Sequence, residues 1–210
     1  MKLLHIDSSI SGEGSASRQL SAAIVTAFKA VVPGLEIIRR DLDAAPIPHL
    51  DSRLLPAVRP ATADEEASGA SDEKGVGALA EFLAADIVVI GAPMYNFTVP
   101  SQLKAWIDRI LIAGKTFQYG EAGPVGLAGG KRVVIASSRG GLYAPGMPFE
   151  AYDFQERYLR AVFAFIGIED VEIVRAEGLA FGPEQRETTV RAALTAVPPA
   201  VVTFATREVA

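Results

Sequence analysis

The sequence predicts an α/β fold: a doubly wound, five-stranded parallel sheet with helices on both faces. Three observations predict it. Short β-branched runs alternate with stretches of helical spacing. The inner runs are apolar almost without a break, as strands covered on both faces must be. The first, third and fourth runs each end in a loop rich in glycine, serine or aromatic residues, on the edge where sheets of this kind bind ligands.

Leu3, Leu4 and Ile6 form the first run, which ends in a polar Gly- and Ser-rich stretch before helical spacing begins at Arg18. Leu20, Ile24, Ala27 and Phe28 then share one helical face, and Pro33-Gly34 stops that helix ahead of a second strand over Leu35 to Arg39. Ala44 to Pro60, with Pro46, Pro48, Pro56 and Pro60, has no period and is expected to be an extended surface segment. Alanine and charged residues dominate from there to Ala84, the composition of a polar surface helix. Ile87 to Ile90, Val133 to Ala136 and Val171 to Val174 are the third, fourth and fifth strands. Between them one helix opens near Pro100 and carries Leu103, Trp106, Ile107, Ile110 and Leu111; another carries Tyr158, Val162, Phe165 and Ile166 and ends at Gly167. Residues 1–210 read as one domain, except that the tail from 197, with Pro198-Pro199 and then Val201, Val202, Thr203 and Phe204, does not fit the alternation.

Composition narrows the function classes. A chain of 210 residues, half of them hydrophobic, suffices for one core that buries roughly 70% of the unfolded surface. The net charge of −5 is interspersed, so no basic stripe is available to track a phosphodiester backbone. The absence of cysteine excludes disulfides, thiolate nucleophiles and Cys-ligated metal sites. No apolar run reaches the roughly 20 residues of a bilayer span, and the first apolar run, broken by His5 and closed by Asp7, is too short for a signal-peptide core. The expectation is a soluble cytoplasmic protein that binds neither nucleic acid nor membrane.

The loop after the first strand, Asp7 to Ser17, contains five serines and leads straight into a helix. Unpaired N–H groups and the dipole at a helix start favour an anion, and hydroxyl donors suit a terminal phosphate monoester. Ser15 or Ser17 could equally well cap the helix, and the residues alone leave both readings open. No lysine is present, which excludes an NTP-hydrolysing P-loop. The loop after the third strand, Gly91 to Pro100, sets Met94, Tyr95 and Phe97 between prolines, with Asn96 as a polar partner; a planar heterocycle would find flat walls there, although such a cluster also serves as core. After the fourth strand, Ser138-Arg139-Gly140-Gly141 would let backbone approach a ring edge, while Arg139 taken alone reads as a surface cation.

At these residues the sequence resembles the FMN-dependent NADH:quinone oxidoreductase and azoreductase family, a dimeric branch of the flavodoxin-like fold. The similarity runs from Lys2 to about Thr195 and rests on the serine-rich loop, Ala92-Pro93-Met94-Tyr95-Asn96-Phe97, the Ser138 to Gly141 turn, Phe165-Ile166-Gly167 and Ala176-Glu177-Gly178. It implies that Ser9, Ser15, Ala16 and Ser17 hold the FMN phosphate, that Pro93, Met94, Tyr95, Asn96 and Phe97 line the isoalloxazine, and that Ser138, Arg139, Gly140 and Gly141 border its opposite edge. One non-covalent FMN per subunit would pass two electrons, as hydride carried on flavin N5, from NADH or NADPH by a ping-pong mechanism to quinones and azo compounds, with no metal and no catalytic side chain. Phe117, Tyr119, Tyr143 and Phe149, with Tyr152, are the candidates to sandwich a flat aromatic acceptor, in a pocket completed by the second subunit of a homodimer. NADH and NADPH are not separated, and Arg59 is the one arginine put forward to meet a 2′-phosphate.

Three other function classes compete for these residues. A nicotinamide-only dehydrogenase would want a third glycine at Ser17. A hydrolase would want a nucleophile elbow and a usable histidine, but His5 lies inside a strand as a core histidine and His49 sits between prolines on a loop. A one-electron flavodoxin-type carrier without turnover is the main alternative; such carriers are strongly acidic, and −5 is modest.

Overall fold

The computed structural model describes residues 1–51 and 73–206. Arg59, the later part of the extended segment beginning at Ala44, and the start of the polar helix expected after it lie outside those residues. Five strands, β1 (Lys2–Asp7), β2 (Glu36–Asp41), β3 (Ile87–Pro93), β6 (Arg132–Ser138) and β7 (Val171–Ala176), form one parallel sheet in the order β2, β1, β3, β6, β7. That is the predicted doubly wound arrangement, with its switch point between β1 and β3.

The side-chain period of two explains why the inner strands read as unbroken apolar runs. Leu4, Ile6, Val88, Ile90, Val133 and Ile135 face one core, with α2 (Glu73–Ala84), α3 (Ser101–Ile110) and α4 (Gln155–Phe165) over it. Leu3, Ile87, Val89, Val134 and Ala136 face the other, under α1 (Ala16–Val31) and α5 (Pro183–Thr206). Phe82 and Trp106, edge to face at 5.9 Å between centroids, lock α2 to α3 on the first side. The polar helix ending at Ala84 is therefore amphipathic: Ala78 and Phe82 are fully buried.

Three features depart from the sequence reading. The strands outrun their β-branched cores, so Pro93 and Ser138, read as loop residues, are the last paired residues of β3 and β6, in register with each other. A two-stranded antiparallel hairpin, β4 (Phe117–Gly120) and β5 (Gly123–Gly126), interrupts the βα alternation. The tail with Pro198-Pro199 continues a helix: α5 runs to Thr206, and Val197 and Val201, one turn apart, are buried in the α1 side of the core. Among the described residues no helix is long and apolar enough to cross a membrane.

Candidate active site

The carboxyl edge of the sheet gathers the three predicted loops. Under the first, Asp7 is buried and accepts hydrogen bonds from Ser21 Oγ (2.8 Å) and Arg39 Nη2 (3.2 Å), while His5 Nε2 lies 3.0 Å from Ser21 Oγ. Burial pushes the Asp7 carboxyl up, but the bond and charge of His5, with Ser21 and Arg39, hold it below the usual carboxylate range. His5 is thus the satisfied core histidine that its strand position predicts, and it holds the floor of the loop. Arg18 fixes the loop from outside: its Nε and Nη2 donate to the Ser9 carbonyl (3.1 and 2.8 Å), and its guanidinium forks onto Asp41 at 2.6 and 2.8 Å. That hydrogen bond, only partly opposed by burial, lowers the Asp41 carboxyl to about 2.

Ser15 is the N-cap of α1, its Oγ accepting from Arg18 N at 3.2 Å and lying 3.0 Å from Ser17 Oγ. Both the capping reading and the helix-start geometry that an anion requires are therefore present at one residue. Ser17 is fully buried beneath, whereas Ser9 reaches across to Tyr95, Oγ to OH at 3.2 Å, and joins the first loop to the second.

In the second loop, Tyr95 and Thr98 exchange backbone hydrogen bonds (2.9 and 3.1 Å) around Asn96 at φ 47° and Phe97 at φ 72°. Positive φ at both central residues is the pattern of a type I′ turn, which favours Asn-Gly; phenylalanine in the second place stores about 1–3 kcal/mol of strain. The turn lifts Asn96 and Phe97 out of the fold as exposed residues whose backbone N–H groups make no hydrogen bond among the described residues. Met94 N, by contrast, is tied to Ser138 O at 2.8 Å, joining the second loop to the third.

Arg139 is not a surface cation. Its side chain is fully buried beneath the third loop, within 2.7–3.0 Å of Asp153, Glu156 and Glu177, and its Nε donates to Ser137 Oγ and Gln155 Oε1. Three carboxylates supply the neighbours that local sequence does not show. Gln155 Nε2 in turn donates to Ala92 O (2.7 Å), and Glu177 Oε1 accepts from Tyr143 N (2.9 Å), so one guanidinium organises β3, the third loop, the start of α4 and the turn after β7. Burial raises the Glu156 carboxyl, but hydrogen bonding and charge from Arg175 and Arg139 leave it below the ordinary carboxylate value. Above this network the backbone of Arg139 to Gly141 pairs with Ala176 to Ala180 through four hydrogen bonds of 2.9–3.1 Å, while the N–H groups of Gly140 and Gly141 make no hydrogen bond among the described residues. A Cβ on Gly141 would lie 3.0 Å from the Tyr143 ring.

These loops enclose a cleft of about 220 Å³ walled by Ser9, Ser11, Gly14, Ser15 and Ala16 at one end and by Pro93, Met94, Tyr95, Ser138, Arg139 and Gly140 at the other. Tyr95 also borders a wider hollow of about 540 Å³ with Asn96, Val99, Gln102, Lys104 and Tyr158. Beside Phe97, an aromatic rim of Tyr143, Phe149 and Tyr152 joins the second loop to the third at centroid distances of 5.5–6.4 Å. Phe117 and Tyr119 do not join it. They belong to the β4–β5 hairpin, whose Gly126 packs on Ile166-Gly167, just past the far end of α4; α4 begins against Ala92 and has 11 residues, so roughly 16 Å of helix separates the hairpin from the cleft. Phe117 is instead buried, its ring 4.8 Å from that of Phe165, and Tyr119 is largely exposed. The sequence reading missed Leu179, Ala180 and Arg186, which close the cleft from the turn after β7 and the start of α5. Gly178-Leu179-Ala180 and Gly182-Pro183 mark a turn and a helix start, but nothing local in them points to Ser9.

The cleft fits FMN by its own features. Hydroxyls and a helix start offer donors to a phosphate, and the Gly140 backbone borders the cleft without a side chain. Asn96, Gly140 and Gly141, at or beside the lining residues Tyr95 and Gly140, have backbone N–H groups that make no hydrogen bond among the described residues and can serve ring heteroatoms. A family model described as flavodoxin-like fold matches residues 1–197. The FMN-dependent NADH:quinone oxidoreductase of Methylocella silvestris is 57% identical over 92% of this chain and 95% of its own, and that of Stenotrophomonas maltophilia 56% over 94% and 95%. Among solved structures, an azoreductase from Bacillus anthracis superposes with TM-score 0.86 at 28% identity, covering 97% of this chain and all of that one. An FMN-dependent NADH-azoreductase from the same species, solved with FMN, gives 0.83 at 29% over 97% and 99%. By fold, cleft and relatives alike, the chain belongs to the family of FMN-dependent NADH:quinone oxidoreductases.

Proposed function

We propose that this chain binds one FMN in the three-loop cleft, takes two electrons from NADH or NADPH, and delivers them by a ping-pong mechanism to quinones and azo compounds. The observation that carries the proposal is the convergence of the Ser9–Ser15 end, Pro93-Met94-Tyr95 and the Ser138-Arg139-Gly140 turn on one cleft, with the Asn96-Phe97 turn and Gly141 next to them in the chain. When bound, FMN supplies the redox chemistry, and the chain supplies position and electrostatics. Ser9, Ser15 and the first N–H groups of α1 (Ala16 and Ser17) hold the phosphate. Pro93, Met94 and Tyr95 line the ring. The Asn96 and Phe97 backbone addresses one ring edge, and the Gly140 and Gly141 N–H groups, preorganised by the buried Arg139 network below, stabilise negative charge at the other. Ser138 and Arg139 contribute backbone alone; the Arg139 side chain is fully occupied below.

No histidine proton transfer is needed: His5 is buried and bonded to Ser21, and His49 is exposed on a loop. Phe97, Tyr143, Phe149 and Tyr152 form the wall on which a flat aromatic acceptor stacks. The reading takes the enzyme as a cytoplasmic homodimer of one domain per chain, in which Phe117 and Tyr119, remote from the cleft of their own chain, would serve such an acceptor only from the second subunit. In steady-state assays with NADH and a benzoquinone, double-reciprocal lines at different quinone concentrations should be parallel, and an azo dye should be cleaved to aromatic amines. Intersecting lines would exclude the ping-pong order, and no turnover of either acceptor would exclude the function.

A further inference from the structure

Arginines approach the loops of the cleft, and Arg18, Arg39 and Arg139 are already neutralised, Arg39 by Asp7 at 3.2 Å. Arg18 is paired with Asp41 at 2.6 Å and flanked by Asp7 at 3.7 Å. Arg139 is enclosed by Asp153, Glu156 and Glu177. Arg186 differs. It lies in the first turn of α5, half-buried, and lines the cleft beside Gly14, Ser15 and Ala16. No described carboxylate pairs with it: Glu187, next in the chain, turns to Arg191 (3.8 Å). Among the described residues its side chain makes one hydrogen bond, from Nη2 to the Gly14 carbonyl, 172 residues away in sequence.

A guanidinium carries five N–H donors in a planar fork suited to phosphate, and one bond to Gly14 leaves the others available. The Gly14 bond holds the head against the serine loop, and the burial of Val197 and Val201 three and four turns further along α5 fixes the helix that carries it. The serine loop itself contains no lysine or arginine before Arg18. A bound phosphate monoester would otherwise meet only neutral hydroxyls and a helix dipole worth about half a charge.

We propose that Arg186 is the cation that recognises the phosphate of FMN and so selects phosphorylated flavin over riboflavin. The proposal rests on the FMN reading above and adds to it a residue from the opposite end of the chain. The test is titration of the full-length protein with FMN and, separately, with riboflavin, followed by flavin fluorescence, for the wild type, Arg186→Ala and Arg186→Lys. Arg186 is on the surface of a helix start, so the variants should fold, which circular dichroism checks. Removing a charge-assisted contact should weaken FMN about ten-fold or more, leave riboflavin affinity unchanged and flatten the salt dependence of FMN binding, while lysine restores part of the loss. Unchanged FMN affinity in Arg186→Ala, or an equal loss for both flavins, would overturn the proposal while leaving the FMN site standing. A wild-type chain that binds neither flavin would overturn both.

Discussion

The underside and the rim of the cleft are built on opposite terms. Beneath the loops, Arg139 and Asp7 sit in closed networks in which nearly every polar group has a partner and nearly every member is buried. At the rim, Phe97, Phe149 and Tyr152 are about half exposed, with Phe97 against Tyr152 and both Phe97 and Phe149 against Tyr143. The difference teaches a division of labour. A buried charge network allows little movement, because each member left alone is costly, so it can hold backbone N–H groups where a cofactor needs them. An open aromatic rim accepts flat molecules of varied outline, because stacking asks for area rather than for fixed hydrogen-bond partners.

Substitutions in the two regions should therefore fail differently. The largest effect is expected at Arg139: Arg139→Met leaves Asp153, Glu156 and Glu177 without their shared cation, and urea unfolding should show a loss of about 3–5 kcal/mol with loss of bound flavin. A cost below about 1 kcal/mol would place the network's weight elsewhere. Gly141→Leu comes next. Its Cβ meets the Tyr143 ring at 3.0 Å, so the slot narrows while the fold survives; flavin content should drop several-fold, and full occupancy would refute the placement of the ring edge.

Asp41 gives a smaller, pH-dependent effect. Its folded value near 2 lies below the ordinary aspartate value of 3.8, so its contribution is complete above about pH 4 and is lost as pH falls from 3.8 towards 2. Allowing for solvent screening, it should amount to about 1 kcal/mol; Asp41→Asn should lose that stability at neutral pH and show a flatter acid limb in thermal unfolding, whereas an unchanged acid limb would deny the Arg18 pairing its role. The smallest effect is at Phe97. Phe97→Gly relieves the positive φ and should raise the melting temperature by about 2–4 °C, while the KM for quinone rises; a lower melting temperature would mean that the ring's packing outweighs the strain.

The sequence showed the sheet more clearly than the site. Ile87 to Ile90 and Val133 to Ala136 are legible because burial on both faces demands unbroken apolar residues. The ends of the same strands are not legible, because Pro93 and Ser138 face the cleft and carry residues chosen for that edge. The β4–β5 hairpin escaped because its four-residue strands have glycine at their ends, a proline inside the second, and no alternation long enough to read. Phe117 and Tyr119 look like site residues by type, and only topology shows them at the far end of α4. Arg139 illustrates the limit most plainly: a lone arginine in a glycine turn reads as exposed, and the partners that bury it stand 14, 17 and 38 residues later, gathered by folding alone. Arg186 is further still from the loop it touches.

The claim on which everything else depends is that the three loops hold a flavin that shuttles electrons from a nicotinamide to a quinone. An absorption spectrum of the purified protein, taken before and after anaerobic NADH and again after a quinone is added, tests it directly. The account predicts a yellow protein whose visible bands bleach with NADH and return with the quinone. A colourless protein that neither takes up added FMN nor oxidises NADH would contradict it.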